Sequence, residues 1–411
     1  MPLNFIPKLI GKMKKIFSLK EIIICFMIFI IMFGFSFIPV NCGFLSPVAT
    51  ALGDFDVYDI VYSKLLEEQP VDTNIVLVNI GNLSRKELAD EISVINKFNP
   101  AVIGIDAFFE VEKDPASDSL LSLSFSNCHN LVMVDKLDNF NEETKHYGSL
   151  HSSIAKFNMY SKGGFANLPN DDAVGFRTIR EFRPIEKVKD STVLAFSSKI
   201  ASLYNHDAFQ SLTRRGNQNE IINFRGNYNR FYFIDTYQYA EPGVDLGFIK
   251  DKIVLMGYMG PDFNTKTLED VFFTPLNDRY AGKSFPDMYG IVIHANIISM
   301  ILNKTYVNVM PDWISYLLAL IICFLNVKML LFIMSGMKDW FNGLAKLFIF
   351  IYSILTLFLS IEILHYFNYK INLTVALIAV VLSNTVIEIY DNYILKINKK
   401  LNKQVIENET A

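Results

Sequence analysis

Apolar positions in this 411-residue chain follow two patterns. Four runs, 22–40, 313–334, 345–367 and 371–395, are almost continuously apolar and close to the roughly 20 residues that a bilayer crossing requires. Between the first two, over 41–312, apolar and polar residues mix as they do in a folded water-exposed domain. Lys8, Lys12, Lys14, Lys15 and Lys20 precede the first run, which puts the N-terminus in the cytoplasm by the positive-inside bias. Four crossings return the chain to that side. Lys338 and Lys346 fall in or beside the inner loop, Lys396, Lys399, Lys400 and Lys403 lie in the tail, and the outer loop between the last two runs holds only Lys370. The layout expected is a cytoplasmic segment 1–21, a first membrane helix, an extracytoplasmic domain 41–312, three further membrane helices and a cytoplasmic tail 396–411.

Within 41–312 the periodicity alternates. Residues 75–80 (IVLVNI) read as a strand buried on both faces. Ser84 and Glu87 form a capping box, Leu88, Ile92, Ile95 and Phe98 recur at helical spacing, and Asn99-Pro100 ends the helix. Residues 101–105 (AVIGI) supply a second buried strand, completing a βαβ unit with a parallel core. Further strands are predicted at 131–135, 221–224 and 252–257, and an antiparallel pair at 163–168 and 174–183 around the turn 169–172. Residues 191–203 have helical period, and 290–302 read as an amphipathic helix leading to the membrane, with Ile291, Ala295, Ile298 and Leu302 on one face. Residues 41–70 read as a partly helical stalk. The fold class is α/β: a three-layer domain with a mixed, largely parallel sheet, plus four transmembrane helices.

Charge and cysteines change this picture little. The central stretch is acidic, which argues against nucleic acid as a partner. Cys25 and Cys323 lie in apolar runs; only Cys42 and Cys128 face the outer side, and whether they are bridged is left open. The first run lacks a small-residue cleavage site and reads as an anchor.

Four motifs then occur in order: 102–106 (VIGID), 222–226 (INFRG), Asp270 with Thr274-Pro275, and 290–296 (GIVIHAN). Together with the three apolar runs that follow, they resemble the second type of CHASE domain, the extracellular sensory domain associated with cyclases and histidine kinases. The resemblance covers roughly 45–310. It implies a bacterial inner-membrane sensor with its large domain in the periplasm. Only 396–411 follow the last run, whereas a catalytic domain needs on the order of 100–200 residues. The resemblance therefore implies an output protein acting in trans, with homodimerisation open.

Candidate ligand-binding residues follow from position. Asp106 and Asn79 end parallel strands, where ligands of open α/β sheets bind; the structural alternative is that they bond loop amides. Arg225, Arg177, Arg180 and Arg183 offer planar forks for an anion, Arg225 first among them; the alternate spacing of Arg177 and Arg183 on a hairpin reads as a solvated face. His294, a core residue on the structural reading, becomes a pH-sensitive latch on the functional one. Asn296 and Asp270 cap loops or bind ligand. Lys328 and Glu388, charged in apolar runs, read either as snorkelling residues or as a pair joining two helices. A hydrolase assembled from Asp106, Asp270 and His294 finds no supporting motif, so no enzyme, metal or cofactor is expected. The expected function is a membrane-anchored sensor of a small molecule or envelope partner. The alternatives are an envelope assembly factor and, third, a periplasmic hydrolase.

Overall fold

Each βα element begins where local chemistry dictates. The computed structural model describes residues 18–36, 57–141, 143–168, 178–265, 267–277, 285–336 and 341–394. Cys42, Arg177, the turn 169–172, the basic N-terminus before residue 18 and the tail 396–411 lie outside them. The chain divides into a central unit, Thr50–Val307, and a flanking unit, Met1–Ala49 with Asn308–Ala411. Helix α1 (Leu19–Ser36) belongs to the flanking unit.

The central unit opens with α2 (Val57–Ile60), continued by a π-helical turn over Val61–Leu65. Strand β1 (Asp72–Asn79) is buried without a break from Ile75 to Asn79. Helix α3 (Arg85–Asn96) starts at the expected capping box: Ser84 Oγ accepts from Glu87 N, and Glu87 Oε2 accepts from Ser84 N at 2.8 Å. Strand β2 (Val102–Asp106) and α4 (Pro115–Ser126) follow, α4 with Asp114 as its cap and Pro115 at its first position. Next come β3 (Leu131–Asn141), β4 (His146–His151), a short α5 (Ala155–Asn158), β5 (Lys162–Phe165), β6 (Glu181–Phe182), β7 (Ile185–Val188) and β8 (Ser191–Leu194). The unit ends with α6 (Phe196–Tyr204), α7 (His206–Arg215), β9 (Glu220–Ile221), β10 (Phe231–Ile234), β11 (Ile253–Gly257), β12 (Val271–Phe272), β13 (Met288–Tyr289) and α8 (Gly290–Asn303).

The main sheet runs β10-β1-β11-β2-β3-β4-β7-β8, with β5 also paired to β3; β10, β1, β11, β2, β3 and β5 are mutually parallel. On one face Val76, Val78, Ile103, Ile105, Val254 and Met256 pack against Leu88, Ile92 and Ile95 of α3 and Leu121 and Phe125 of α4. On the other, two glycines let helices lie directly on the strands. A Cβ on Gly104 would meet Ile200 Cδ1 of α6 at 2.5 Å, and one on Gly257 would meet Ile291 Cβ of α8 at 2.7 Å. The result is the three-layer arrangement expected.

Three expectations need correction. The strand at 163–168 is not half of a hairpin: β5 is parallel to β3, while β6 pairs with β9. Gly163 and Gly164 admit the Asp135 carboxylate and the Phe196 backbone, contacts that a side chain would block. The helix predicted at 191–203 begins later, because Ser191–Leu194 forms β8 against β7. Helix α8 is not amphipathic: Gly290 to Ile301 are all buried.

In the flanking unit, β14 (Asn308–Val309) pairs in parallel with β15 (Tyr369–Lys370), on either side of α9 (Asp312–Gly336) and α10 (Phe341–Phe367) in the chain. Helix α11 (Thr374–Ile389) continues as a π turn over Tyr390–Ile394. Among the described residues three helices are long and apolar enough to cross a membrane: Asp312–Gly336, Gly343–Phe367 and Thr374–Asn392. Helix α9 passes unbroken through Asn326 and Lys328. Ile24 and Ile28 of α1 pack with Val327 and Leu330 of α9 and with Ala379, Val386 and Ile387 of α11. Asn326 Nδ2 donates to Ser383 Oγ at 2.5 Å in this core, the kind of interhelical contact that fixes register in lipid.

One buried group works against the fold. Glu91 of α3 is fully buried, and among the described residues neither carboxyl oxygen has a hydrogen-bond partner. Desolvation pushes its pKa up to about 8, and the nearby phenol of Tyr239 is raised by its own burial and by Glu91, Asp90 and Glu87. A raised carboxyl pKa gives stability that is complete below the unfolded value of 4.5 and is lost as pH rises through about 8. Glu91→Gln is expected to raise the melting temperature at pH 8 by roughly 5 °C, from about 2 kcal/mol, and to change it little at pH 4. Melting curves of both proteins across pH 4–8 check this; a gain that does not depend on pH would refute it.

Candidate functional site

At the carboxyl ends of the parallel strands, register brings three residues together. Asn79, Gly257 and Asp106 are paired across β1, β11 and β2, so all three lie on the sheet face that α6 and α8 cover. Gly257 has Ile291 over it, and Asn79 and Asp106 stand two strand spacings apart, about 10 Å.

Asn79 is completely buried and completely used. Its Nδ2 donates to Asp235 Oδ1 at 3.0 Å and to Gly260 O at 3.1 Å. Its Oδ1 accepts from Gly81 N at 3.0 Å and from Met259 N at 2.9 Å. One amide thus ties together the loops after β1, β10 and β11. Asp235 adds bonds from Thr236 N and Phe263 N.

Asp106 differs. It is half-buried, and among the described residues its carboxyl has no hydrogen-bond partner. Desolvation pushes its pKa up to about 6. A group with that pKa is mostly carboxylate at neutral pH, with oxygens that no described residue uses. Asp270, in the left-handed region at φ 54°, lies at the start of α8: its carbonyl accepts from Gly290 N at 3.1 Å, and its carboxylate oxygens are 3.2 Å from where a Gly290 Cβ would stand. A carboxylate there is favoured by the partial positive charge of a helix N-terminus.

The remaining candidates lie along α8, away from Asp106. His294 Nδ1 is 2.8 Å from Ser197 Oγ, and its ring meets Phe196 edge-on at 5.3 Å between centroids. Burial pushes its pKa down to about 4, so it stays neutral where a near-neutral latch would switch. Asn296 Oδ1 accepts from Arg225 N at 2.7 Å and Gly226 N at 3.2 Å, while its Nδ2 donates to Gly226 O and Val292 O, both at 2.9 Å. Arg225 donates from Nε to Ser299 Oγ at 2.9 Å and from Nη1 to Pro70 O at 2.7 Å. Ser299 in turn donates to Asp72 Oδ2 at 2.6 Å, at the amino end of β1. The structure therefore places Asn79, Asp106 and Asp270 at the carboxyl end and strings His294, Asn296 and Arg225 along α8, bonded within the domain.

A second cluster, which the sequence did not assign, joins the two ends of the central unit. Tyr62 Oη, following α2, donates to Asn223 Oδ1 at 2.7 Å, and Asn223 Nδ2 donates to Thr305 O, beyond α8, at 2.8 Å. Tyr58 Oη donates to Ile222 O. Asp59 takes a two-pronged bond from Arg180, at 2.8 and 2.6 Å. Arg215 pairs with buried Glu220 at 2.7 Å, donates to Val307 O at 3.2 Å and stacks its guanidinium 4.5 Å from the Tyr306 ring centroid. The only sequence signal was the INFRG motif itself. Arg180, a candidate for an anionic ligand, instead holds a carboxylate of the domain itself, 121 residues away. In the flanking unit, Glu388 Oε1 accepts from Asn384, and Lys20 pairs with Asp391 at 2.7 Å.

Among the described residues no group of three or more His, Cys, Asp or Glu is placed to hold a metal ion. A family model described as the CHASE2 domain matches residues 48–328. No curated protein and no solved structure gives a significant match.

Two outcomes follow from these geometries. Asn79→Ala strips four bonds from one buried position and is expected to cost about 3 kcal/mol, read as a lower midpoint in chemical denaturation; a loss below about 0.5 kcal/mol would contradict the role given to it. A His pKa lowered from 6.5 to about 4 gives stability present above 6.5 and lost as pH falls through about 4. His294→Gln is expected to lose less melting temperature than the parent between pH 6.5 and 4, measured by differential scanning calorimetry.

Proposed function

The chain belongs to the CHASE2 domain family, an extracellular sensory family, and from that premise we propose that it is a bacterial inner-membrane receptor whose periplasmic domain takes its ligand at Asp106. The observation that carries this reading is Asn223, which bonds the entry of the domain through Tyr62 and its exit through Thr305. Two residues on, Arg225 and Gly226 are held by Asn296 of α8, and the first turn of that helix rests on Gly257, the strand neighbour of Asp106. Ligand at the carboxyl end and the two chain ends leading to the membrane thus bear on one helix. A ligand that prefers one placement of α8 biases both ends together, as differential affinity for two arrangements requires.

The ligand class follows from Asp106: a small molecule with an ammonium, guanidinium or hydroxyl donor, bound less well as pH falls below about 6 and the carboxylate takes a proton. The N-terminal helix is read as a fourth crossing. Lys20 at its start pairs with Asp391 at the end of the last helix, which supports both termini on one, cytoplasmic, side. A separate cytoplasmic protein reads the bundle.

A protein partner in the envelope is the second reading, favoured by an exposed aromatic cluster at the β10 edge. Tyr232 and Phe233 are exposed on consecutive positions, with Phe248 5.4 Å from Tyr232 and Phe263 5.0 Å from Phe233. Such contiguous apolar surface on a sheet edge is a common docking place.

Thermal shift of the full-length protein against a panel of amines, amino acids and polyols at pH 7.5 tests the first reading. A ligand present at 100 times its dissociation constant adds about 2.7 kcal/mol. The expected result is a compound that raises the melting temperature of the parent and fails to do so for Asp106→Asn. A panel without effect, together with crosslinking of an envelope protein through Tyr232 or Phe233, would replace it with the second.

A further inference from the structure

The two cysteines of the apolar helices meet. Cys323 Sγ of α9 lies 4.0 Å from Cys25 Sγ of α1, and both side chains are buried in the core of the flanking unit. We propose that Cys25 and Cys323 are a redox site, a dithiol that closes to a disulfide when a lipid-soluble quinone accepts its electrons.

The placement is specific. The sulfurs are at contact distance, and side-chain rotation with a small approach of α1 and α9 covers the step to a bond of about 2.05 Å. Around them stand apolar side chains, among them Ile24, Ile28, Val327, Leu330 and Ala379, a setting that disfavours a hydrated oxidant or a charged reductant. Glutathione and other charged thiols are excluded from such surroundings, whereas a quinone partitions into them. In the step, two S–H bonds break and one S–S bond forms. Two electrons and two protons pass to the quinone carbonyl oxygens, which leave as a hydroquinone. The reverse step needs a hydroquinone or a small uncharged dithiol. Cys128 is an internal control: it is half-buried in the central unit, and its Sγ donates to Ser124 O at 3.3 Å.

The bond would join residues 298 apart and close a covalent ring containing the whole central unit, Thr50–Val307. Helix α1 precedes that unit in the chain and α9 follows it. Oxidation therefore ties together the two helices through which the outer domain is anchored. That regulatory consequence rests on the sensory reading above; the thiol chemistry does not.

The experiment uses the full chain in phosphatidylcholine nanodiscs, with Cys42→Ser to leave three thiols. A fully ring-substituted, short-tailed ubiquinone is added, free thiols are alkylated, and peptides are read by mass spectrometry. The expected product is a Cys25–Cys323 peptide pair lighter by two hydrogens, absent from Cys25→Ser and from Cys323→Ser, with Cys128 fully alkylated throughout. Complete alkylation of Cys25 and Cys323 after quinone overturns the proposal. So does a link formed only with copper phenanthroline, or one formed only between chains. A linked pair whose ligand-induced thermal shift matches that of the reduced protein keeps the redox site and removes only its regulatory consequence.

Discussion

Everything in the central unit is arranged around a helix that water never reaches. Helix α8 is buried on all sides over its first twelve residues, from Gly290 to Ile301, and a helix in that position leaves any polar side chain to find its partner inside the protein. Three such side chains do so: His294 with Ser197 of α6, Asn296 with the backbone of 225–226, and Ser299 with Asp72 and Arg225. Each partner belongs to a different part of the unit. The bonds that make the helix tolerable in the core therefore also fix a neighbouring helix, the INFRG segment and the start of β1. Gly257 and Gly104 complete the requirement, since the helices on that face touch strand backbone directly.

This explains why the βαβ pattern was legible and the helix environment was not. The strands at 75–80 and 101–105, the capping box at Ser84 and Glu87, and the last three apolar runs are set by local sequence, and the structure repeats them. The character of α8 depends on what surrounds it. Leu302 and its apolar neighbours read as one face of a surface helix, but β1, β11, α6 and α7 enclose it on several sides. The same holds for 191–194, whose residues fit either a helix start or an edge strand until β7 is present to pair with them.

The candidate site was read with similar partial success. Position at a strand end singles out Asn79 and Asp106 but does not tell a loop lock from an open carboxyl. Four hydrogen bonds separate the two, and each partner of Asn79 comes from a distant loop. Arg225 was chosen for its fork, and its side chain is spent on Ser299 and Pro70. Glu91 went unnoticed because a glutamate in a helix with mixed polarity is ordinarily exposed; only the packing reveals that it is not. The Arg180–Asp59 pair spans 121 residues and leaves no local trace.

Close packing also constrains how such a domain can respond. A helix held by three buried polar contacts cannot slide by small amounts, since a shift of an ångström breaks the bonds of Asn296 to two backbone amides at once. Its movements are then confined to discrete arrangements in which those contacts are remade, which is the bistable behaviour that signalling elements need. The INFRG segment moves with the helix or not at all. Because Asn223 in that segment binds both Tyr62 and Thr305, entry and exit share whatever displacement occurs. The polar residues that looked like ligand contacts are thus used inside the domain, whereas among the described residues the Asp106 carboxyl bonds none, which is why the proposed reading puts the ligand there.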